Sequence, residues 1–153
     1  MSDDALPLDD HLCFAVYAVS HALTKAYAPI LAPLGLTYPQ YLVMLTLWEE
    51  KQASVKRVGQ RLGLDSGTLT PLLKRLEALG LVERKRSKED ERVVEVSLTA
   101  EGKAMRAKAK KVPRALACAA GYDPDDGRSI ARLAELREEL KKLATTLNDR
   151  KSG

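Results

Sequence analysis

The chain has 153 residues, 45% of them hydrophobic and 30% charged, with a formal net charge of +4. That length holds one domain, or one domain with a helical extension, and no apolar run approaches the ~20 residues a membrane span needs. The acidic opening MSDDALPLDD has no apolar stretch of the kind a secretory signal carries, so the expected compartment is the cytoplasm. Two cysteines, Cys13 and Cys118, are too few for a disulfide framework but suit a redox switch.

The charge is uneven. Residues 1–53 carry net −4, residues 54–99 net +3 and residues 100–153 net +5. A basic middle invites a polyanionic partner, although basic faces are often merely solvated.

The first element reads as a helix from Asp9 or Asp10 to about Ala28, over HLCFAVYAVSHALTKAY. Either aspartate can cap it, and Pro29 and Pro33 disrupt its far end. Cys13 then sits at the third or fourth helical position, and Cys13, Tyr17 and Tyr27 share a face. The plain reading of that stripe is core packing, since a lone cysteine on an apolar face is usually a small buried hydrophobe. The chemical reading is a sensing thiol with phenols nearby. A second helix opens at TYPQYLVMLTLWEE. Thr37 or Tyr38 precedes Pro39, which suits a first helical turn, and Leu42, Leu45 and Trp48 give an apolar face.

Ser54 caps a short helix over 55–62 that Gly63 ends. Asp65 or Ser66 caps the next, which runs to Leu79 and stops at Gly80. Two helices joined by a tight Gly-Leu-Asp link form a helix-turn-helix pattern, though any packed helix pair can give it. Pro71 either kinks the second helix or marks where its regular part begins. The segment LVERKRSKEDERVVEVSLT then holds a strand over 81–86, a charged tip over 87–91 and a strand over 92–98 with Val94, Val96 and Leu98 alternating. A helix-turn-helix followed directly by a basic hairpin is a winged helix, whose helix enters the major groove while the wing reaches a neighbouring groove.

On that reading Ser66, Thr68, Thr70, Lys74 and Arg75 are the candidates to face double-stranded DNA. Small hydroxyls approach bases and phosphates closely, and Arg75 reaches a guanine or a phosphate. In the wing, Arg92 is the minor-groove candidate with Asp90 orienting its guanidinium. Arg84, Lys85, Arg86 and Lys88 add phosphate contacts.

Thr99-Ala100-Glu101 opens a further helix, bent or broken near Pro113. After the turn GYDPDDG, Asp125, Asp126 or Ser129 starts a last helix to about Leu147, with Leu133, Leu136, Leu140, Leu143 and Leu147 as an apolar stripe. Apolar helices on both sides of a winged helix suggest a dimerisation module, with packing on their own domain as the alternative. The expected fold is mainly α with a small β wing. It divides into an N-terminal dimerisation and sensor segment (1–36), a winged helix-turn-helix (37–99) and C-terminal dimerisation helices (100–153). His11 and His21, ten residues apart on one helix, do not converge and no carboxylate pattern completes a zinc set, so neither metal nor other cofactor is expected.

Several stretches together resemble one family. Asp90-Glu91-Arg92 followed by Val96-Ser97-Leu98-Thr99-Ala100-Glu101-Gly102 resembles the wing signature of the MarR family of dimeric winged-helix repressors. GLDSGTLTPLLKRLEALGLVERKRS (63–87), TYPQYLVMLTLWE (37–49), VPRALAC (112–118) and the Cys13 helix are similar to its organic-hydroperoxide-sensing branch. The resemblance covers roughly residues 8 to 148. It implies a homodimer that binds a near-palindromic operator and lets go when an organic hydroperoxide oxidises Cys13. It also implies that Tyr27 and Tyr38 donate hydrogen bonds to the reactive sulfur, with Tyr17 a weaker candidate. Cys118 matches the two-cysteine members, in which it resolves the sulfenic acid as an intersubunit disulfide and guards against over-oxidation.

Physical chemistry limits how this works. The thiolate is the nucleophile, and the amides and positive dipole end of a helix N-terminus favour it. Asp9 and Asp10 oppose it by like charge, so hydrogen-bond donors such as tyrosine hydroxyls are needed as well. Fourteen residues separate Cys13 from Tyr27, about 21 Å along a helix, so one chain cannot bring them together. If they meet, the tyrosine comes from the partner across antiparallel first helices at a two-fold axis. Disulfide formation or bulky oxidation then breaks the tyrosine contacts and alters the spacing of the two recognition helices. Three rival readings remain: a repressor of this family answering to a phenolic ligand, with structural cysteines; a thiol peroxidase; and an architectural DNA binder without operator preference.

Overall fold

The computed structural model describes residues 6–150. Two compact units emerge from the chain's contacts, Met1–Lys110 and Lys111–Gly153. The first contains α1 (Leu12–Leu31), α2 (Tyr38–Glu50), β1 (Gln52–Ser54), α3 (Val55–Leu62), α4 (Ser66–Ala78), β2 (Val82–Arg86), β3 (Val94–Leu98) and α5 (Ala100–Ala109). The second contains α6 (Val112–Ala119) and α7 (Gly127–Asp149). The fold is mainly helical with a small antiparallel wing, as the sequence reads.

The first helix begins later than expected. Asp9 and Asp10 lie in a short 3-10 turn, and His11, in extended backbone, stands at the N-cap without a side-chain cap. The turn consumes the residues that would have capped the helix: the His11 amide donates to the Leu8 carbonyl, and Nδ1 of its ring lies 2.8 Å from the Pro7 carbonyl oxygen. Cys13 is therefore the second helical residue, not the third or fourth. The far end is also corrected. α1 passes through Pro29 and ends at Leu31. Pro29 removes a donor to the Lys25 carbonyl, and both residues are exposed, so water can take that carbonyl.

α2 is the centre of the first unit. Thr37 and Gln40 close a capping box, with the Thr37 amide donating to Gln40 Oε1 at 3.0 Å and the Gln40 amide to Thr37 Oγ1 at 3.4 Å. The helix buries Gln40, Tyr41, Val43, Met44, Thr46, Leu47 and Trp48. Of the expected Leu42/Leu45/Trp48 face, Trp48 is buried and Leu42 half-buried. Leu45 is 40% exposed, because α1, α3, α4, α5, β1 and β3 surround α2 on every other side. Among the described residues no single helix is long and apolar enough to cross a membrane.

The helix-turn-helix forms where expected. The Ser54 hydroxyl accepts from the Arg57 amide at 3.0 Å, and Asp65 Oδ1 accepts from the Thr68 amide at 2.7 Å. Gly63 ends α3 at φ +65°, a left-handed backbone that glycine adopts without strain. α4 starts at Ser66 and contains Pro71, which settles the longer of the two readings. The carbonyl that Pro71 leaves without a helical partner is that of Gly67, in the exposed first turn.

The wing has one more strand than the hairpin read from the sequence. β1 pairs with β3 and β3 with β2, all antiparallel, with Ala53 opposite Val96 and Arg84 opposite Val96 on the other side. Three residues between two helices carry too little alternation to show as a strand. At the root, the Thr99 amide donates to the Leu81 carbonyl at 3.1 Å, and the Thr99 hydroxyl donates to the Gly80 carbonyl at 2.6 Å. Gly102 lies beneath this closure, where an added Cβ would overlap the Leu81 carbonyl oxygen.

The helix break falls at Lys110 and Lys111, with Pro113 inside the first turn of α6. Asp126 caps α7, accepting from the amides of Arg128 and Ser129. α7 buries no residue fully, and Ile130, Leu136, Leu140 and Leu147 stand 40–56% exposed.

Gly102→Ala is expected to destabilise the chain by about 3 kcal/mol or more, because a backbone oxygen cannot yield as a side-chain end does. Denaturant unfolding checks this; a loss below about 1 kcal/mol would show the wing root to be more pliant.

Candidate functional site

The winged surface is built around α4. Ser66, Gly67, Thr68, Lys74 and Arg75 are exposed and Thr70 is half-buried, while Leu69, Leu73 and Leu76 are buried beneath them. Every polar candidate on this helix therefore points away from the core. The same end of the unit carries the wing, with Lys85, Arg86, Lys88 and Arg92 exposed. A cleft of about 900 Å³ lies between them, lined in part by Ser66, Thr70, Arg84 and Arg92. A strand of backbone must pass such a concavity if a helix enters one groove and a hairpin the next.

The tip of the wing is held by its own polar groups. Asp90 Oδ1 accepts from the Arg92 amide and from Arg92 Nε, each at 3.1 Å, and Oδ2 accepts from Nη2 at 3.3 Å. These bonds hold the Asp90 carboxyl below the usual range. The Arg92 side chain is nevertheless 92% exposed, so its charge is presented outward. Arg86 Nη1 donates to the Glu91 carbonyl at 2.9 Å, closing the turn from the other strand, and Lys85 pairs with Glu83 at 3.0 Å.

Arg84 stands apart from the other wing cations. Its Nε and Nη2 donate to Glu77 Oε2 at 3.0 and 2.8 Å, and its amide lies 3.4 Å from Glu77 Oε1. The pair holds the Glu77 carboxyl low and ties β2 to α4. A phosphate contact from Arg84 would have to share or break it. Sequence reasoning did not single out Glu77, nor the group that fixes α3. There, Glu50 Oε1 meets Arg57 at 3.0 Å and Arg61 at 2.6 Å, while Arg61 also reaches Glu49 at 2.8 Å. Single exposed pairs contribute little, but a connected set fixes orientation. The only signal in the sequence was opposite charge seven to twelve residues apart, and that distance means nothing until helices fold back.

The thiol helix presents a second cluster. Cys13 and Cys118 are both free and exposed. No side chain caps the first amides of α1 next to Cys13. Tyr17, one turn on, is 61% exposed and lies against His21 with ring centroids 4.3 Å apart. Tyr27 stacks on Tyr38 at 4.4 Å and 8°, with Tyr41 5.8 Å from Tyr27. The fold thus joins Tyr27 to Tyr38 and leaves Cys13 and Tyr17 towards the other end of α1, with about 21 Å of helix between Cys13 and Tyr27. Tyr41 was not anticipated as part of this cluster. Cys118 lies in α6, one turn after Arg114, whose guanidinium binds Asp125 at 2.9 and 2.6 Å. Among the described residues no three His, Cys, Asp or Glu side chains are placed to hold a metal ion.

Burial, and then the neighbouring phenols Tyr38 and Tyr41, push the Tyr27 hydroxyl up to about 12. Burial raises Tyr38 and Tyr41 as well. These phenols keep their protons through neutral and mildly alkaline conditions and so remain hydrogen-bond donors. The native proton is held more tightly than the unfolded one, so its stabilisation is complete below pH ~10 and is lost as pH rises towards 12. Spectrophotometric titration should show a tyrosine ionising near 12 that disappears in Tyr27→Phe; an unchanged curve would count against the burial.

Comparison with known proteins places this surface in context. Residues 25–109 match the family model of the transcriptional regulator SarA/Rot. The chain is 52% identical to the HTH-type transcriptional regulator TtmR of Methylorubrum extorquens over 90% of its length and 71% of that protein's. It is 45% identical to the organic hydroperoxide resistance transcriptional regulator of Bacillus subtilis, over 96% of both chains. The structure of reduced AbfR bound to DNA superposes with a TM-score of 0.76 at 34% identity, covering 96% of this chain and 99% of that one. AbfR, a Staphylococcus epidermidis protein, is also solved overoxidised on DNA and in a disulfide form. The chain belongs to the MarR-like family of winged-helix transcriptional regulators that includes the SarA/Rot proteins and the organic hydroperoxide resistance regulator of Bacillus subtilis.

Proposed function

We propose that the chain is a thiol-switched repressor. As a homodimer in the cytoplasm it holds near-palindromic operator DNA while Cys13 is reduced, and it leaves once an organic hydroperoxide oxidises that thiol. One observation carries this reading: Tyr27, on the same helix as the exposed Cys13 thiol but beyond its reach within one chain, stacks on Tyr38 at the start of α2, and burial keeps both phenols protonated. A second copy with its first helix antiparallel would bring them together. Leu12, Val16 and Val19 of α1 support this, because they form an exposed apolar stripe one turn apart. The exposed leucines of α7 offer a further apolar face. Residues 1–36 and 100–153 then serve dimerisation, and 37–99 serve DNA.

The chemistry follows in two balanced steps. The Cys13 thiolate attacks the distal peroxide oxygen. A sulfur–oxygen bond forms, the O–O bond breaks, and the alkoxide leaves as the alcohol after taking a proton. Sulfur is oxidised to sulfenic acid. Cys118 of the partner subunit then attacks that sulfur as thiolate, an S–S bond forms, and the hydroxyl leaves as water with one proton. A dithiol reverses the second product by exchange. Tyr27 and Tyr38 steady the thiolate and the sulfenate by donating hydrogen bonds. AbfR is described on DNA both reduced and overoxidised; this favours the disulfide, rather than added oxygens, as the releasing state. The oxidised thiol is a signal and not a turnover intermediate, which separates this reading from a thiol peroxidase.

On DNA, Ser66, Thr68, Thr70, Lys74 and Arg75 of α4 meet the major groove. Arg92, held by Asp90, enters the minor groove, and Lys85, Arg86 and Lys88 meet phosphates.

Binding to DNA upstream of its own gene is expected to be tight, lost on adding one equivalent of organic hydroperoxide, and restored by dithiothreitol. Cys13→Ser should bind and ignore peroxide; induction that survives this change would instead favour a phenolic ligand. A non-reducing gel should show a dimer that needs both cysteines, and monomer alone would remove the Cys13–Cys118 bond. Arg92→Ala should weaken binding by about tenfold or more, within the ~1–3 kcal/mol of a good groove contact. An unchanged affinity and salt slope would end that role for Arg92.

A further inference from the structure

We propose that Trp48, supported by Tyr41, is a positioning residue that ties the root of the wing to the sensor tyrosines, with α2 as the lever between them. The first end of the lever is Tyr38, in the first turn of α2, stacked on Tyr27 of α1. Tyr41, one turn on and 3% exposed, lies 5.8 Å from Tyr27 on one side and 6.3 Å from the Trp48 ring on the other, edge to face. Trp48 is in the last turn, ten residues and about 15 Å from Tyr38. α2 is buried along nearly its whole length, and a close-packed helix moves as one body rather than bending residue by residue.

The second end of the lever is a single hydrogen bond. The buried Trp48 indole Nε1–H donates to the Gly102 carbonyl at 2.8 Å, fifty-four residues away in sequence. Gly102 sits where β2 begins and β3 ends. A Cβ there would overlap the Leu81 carbonyl oxygen before β2 and lie 3.2 Å from Leu98 Cδ2 at the end of β3. Thr99 pins the same point, bonding the Gly80 and Leu81 carbonyls. The residue that Trp48 grips is therefore locked to both strands. Arg92 stands six residues before Leu98, at the far end of β3 from the root. A small tilt at the root becomes a larger displacement at the tip. Movement of the tyrosine stack would thus reach the minor-groove contact through packed side chains and one indole bond.

This inference rests on the redox reading only in holding that oxidation displaces Tyr27 and Tyr38; the link itself is a property of the reduced protein and is tested there. Affinity for operator DNA is measured for reduced wild type, Tyr27→Ala, Trp48→Phe and the double variant. Trp48→Phe keeps an aromatic ring and removes the N–H donor together with the fused second ring. Loss of the Tyr27 ring is expected to weaken binding about tenfold in the parent and by less than about twofold in the Trp48→Phe background, the size of a typical coupling between sites. The same fold-loss in both backgrounds overturns the link.

Trp48 is the sole tryptophan, so its emission is a second readout that needs no change at Trp48. It should shift in reduced Tyr27→Ala, and an unchanged spectrum also overturns the proposal. With peroxide, Trp48→Phe should oxidise at Cys13 as the parent does, followed by thiol mass, yet keep most of its DNA affinity. Release equal to the parent's overturns the link. A parent that oxidises and stays on DNA sinks the redox reading instead, and leaves the reduced-state cycle to decide this one.

Discussion

The burial of α2 is the constraint on which the first unit depends. Six elements pack around it, and its polar ends are satisfied by devices that cost the core nothing: a Thr37–Gln40 capping box at one end and the Glu49/Glu50 pairs to α3 at the other. Its flanks must hold side chains that fit, which is why even Gln40 and Thr46 are buried with partners. A helix so placed cannot shift at one end without the neighbours following. The stacked Tyr27 and Tyr38 rings sit at its start and the wing root touches its finish. Electrostatics on the DNA face and chemistry on α1 are thereby attached to one rigid body.

The polar residues divide into those that face outward and those that hold the frame. Arg57, Arg61 and Arg84 are basic and near the DNA-reading elements, yet each is engaged with a glutamate. Lys74, Arg75, Lys88 and Arg92 present their charge to solvent. The net basic charge of the middle segment is thus not a uniform field. Exposed cations stand on α4 and the wing, where a polyanion would gain from them, while the paired arginines tie α3 to α2 and the sheet to α4. Asp90 shows that pairing and presentation are compatible, because it steers the Arg92 guanidinium without covering it.

Two helices keep apolar surface in the open. α1 exposes Leu12, Val16 and Val19, and α7 exposes a row of leucines. Isolated apolar residues at a surface need no explanation, but rows at helical spacing do. The proposed sensor needs the same thing these rows need, a second chain. Cys13 and Tyr27 are on one helix and too far apart to meet within it, so on the proposed reading dimerisation and sensing become one requirement rather than two.

Much of this was legible in the chain itself. Local signals are written in residues that act on their immediate neighbours: Ser54, Asp65, Thr99 and Thr37 as caps, Gly63 as a stop, Pro113 as a break, and period-two alternation in the wing. Those elements formed where their signals lie, and the winged helix followed from their order. The sequence misled where a local signal met a stronger local competitor, as when a 3-10 turn took the aspartates before α1, and where burial depends on what surrounds an element, as with Leu45. It was silent where function arises between distant segments. Nothing in the local spacing tells that Glu77 will hold Arg84, that Tyr41 will join Tyr27 and Tyr38, or that Trp48 will reach Gly102. Those contacts exist only once α2 is enclosed, because a side chain's partner is decided by which backbone is brought alongside it, and that is a property of the packed structure and not of the string.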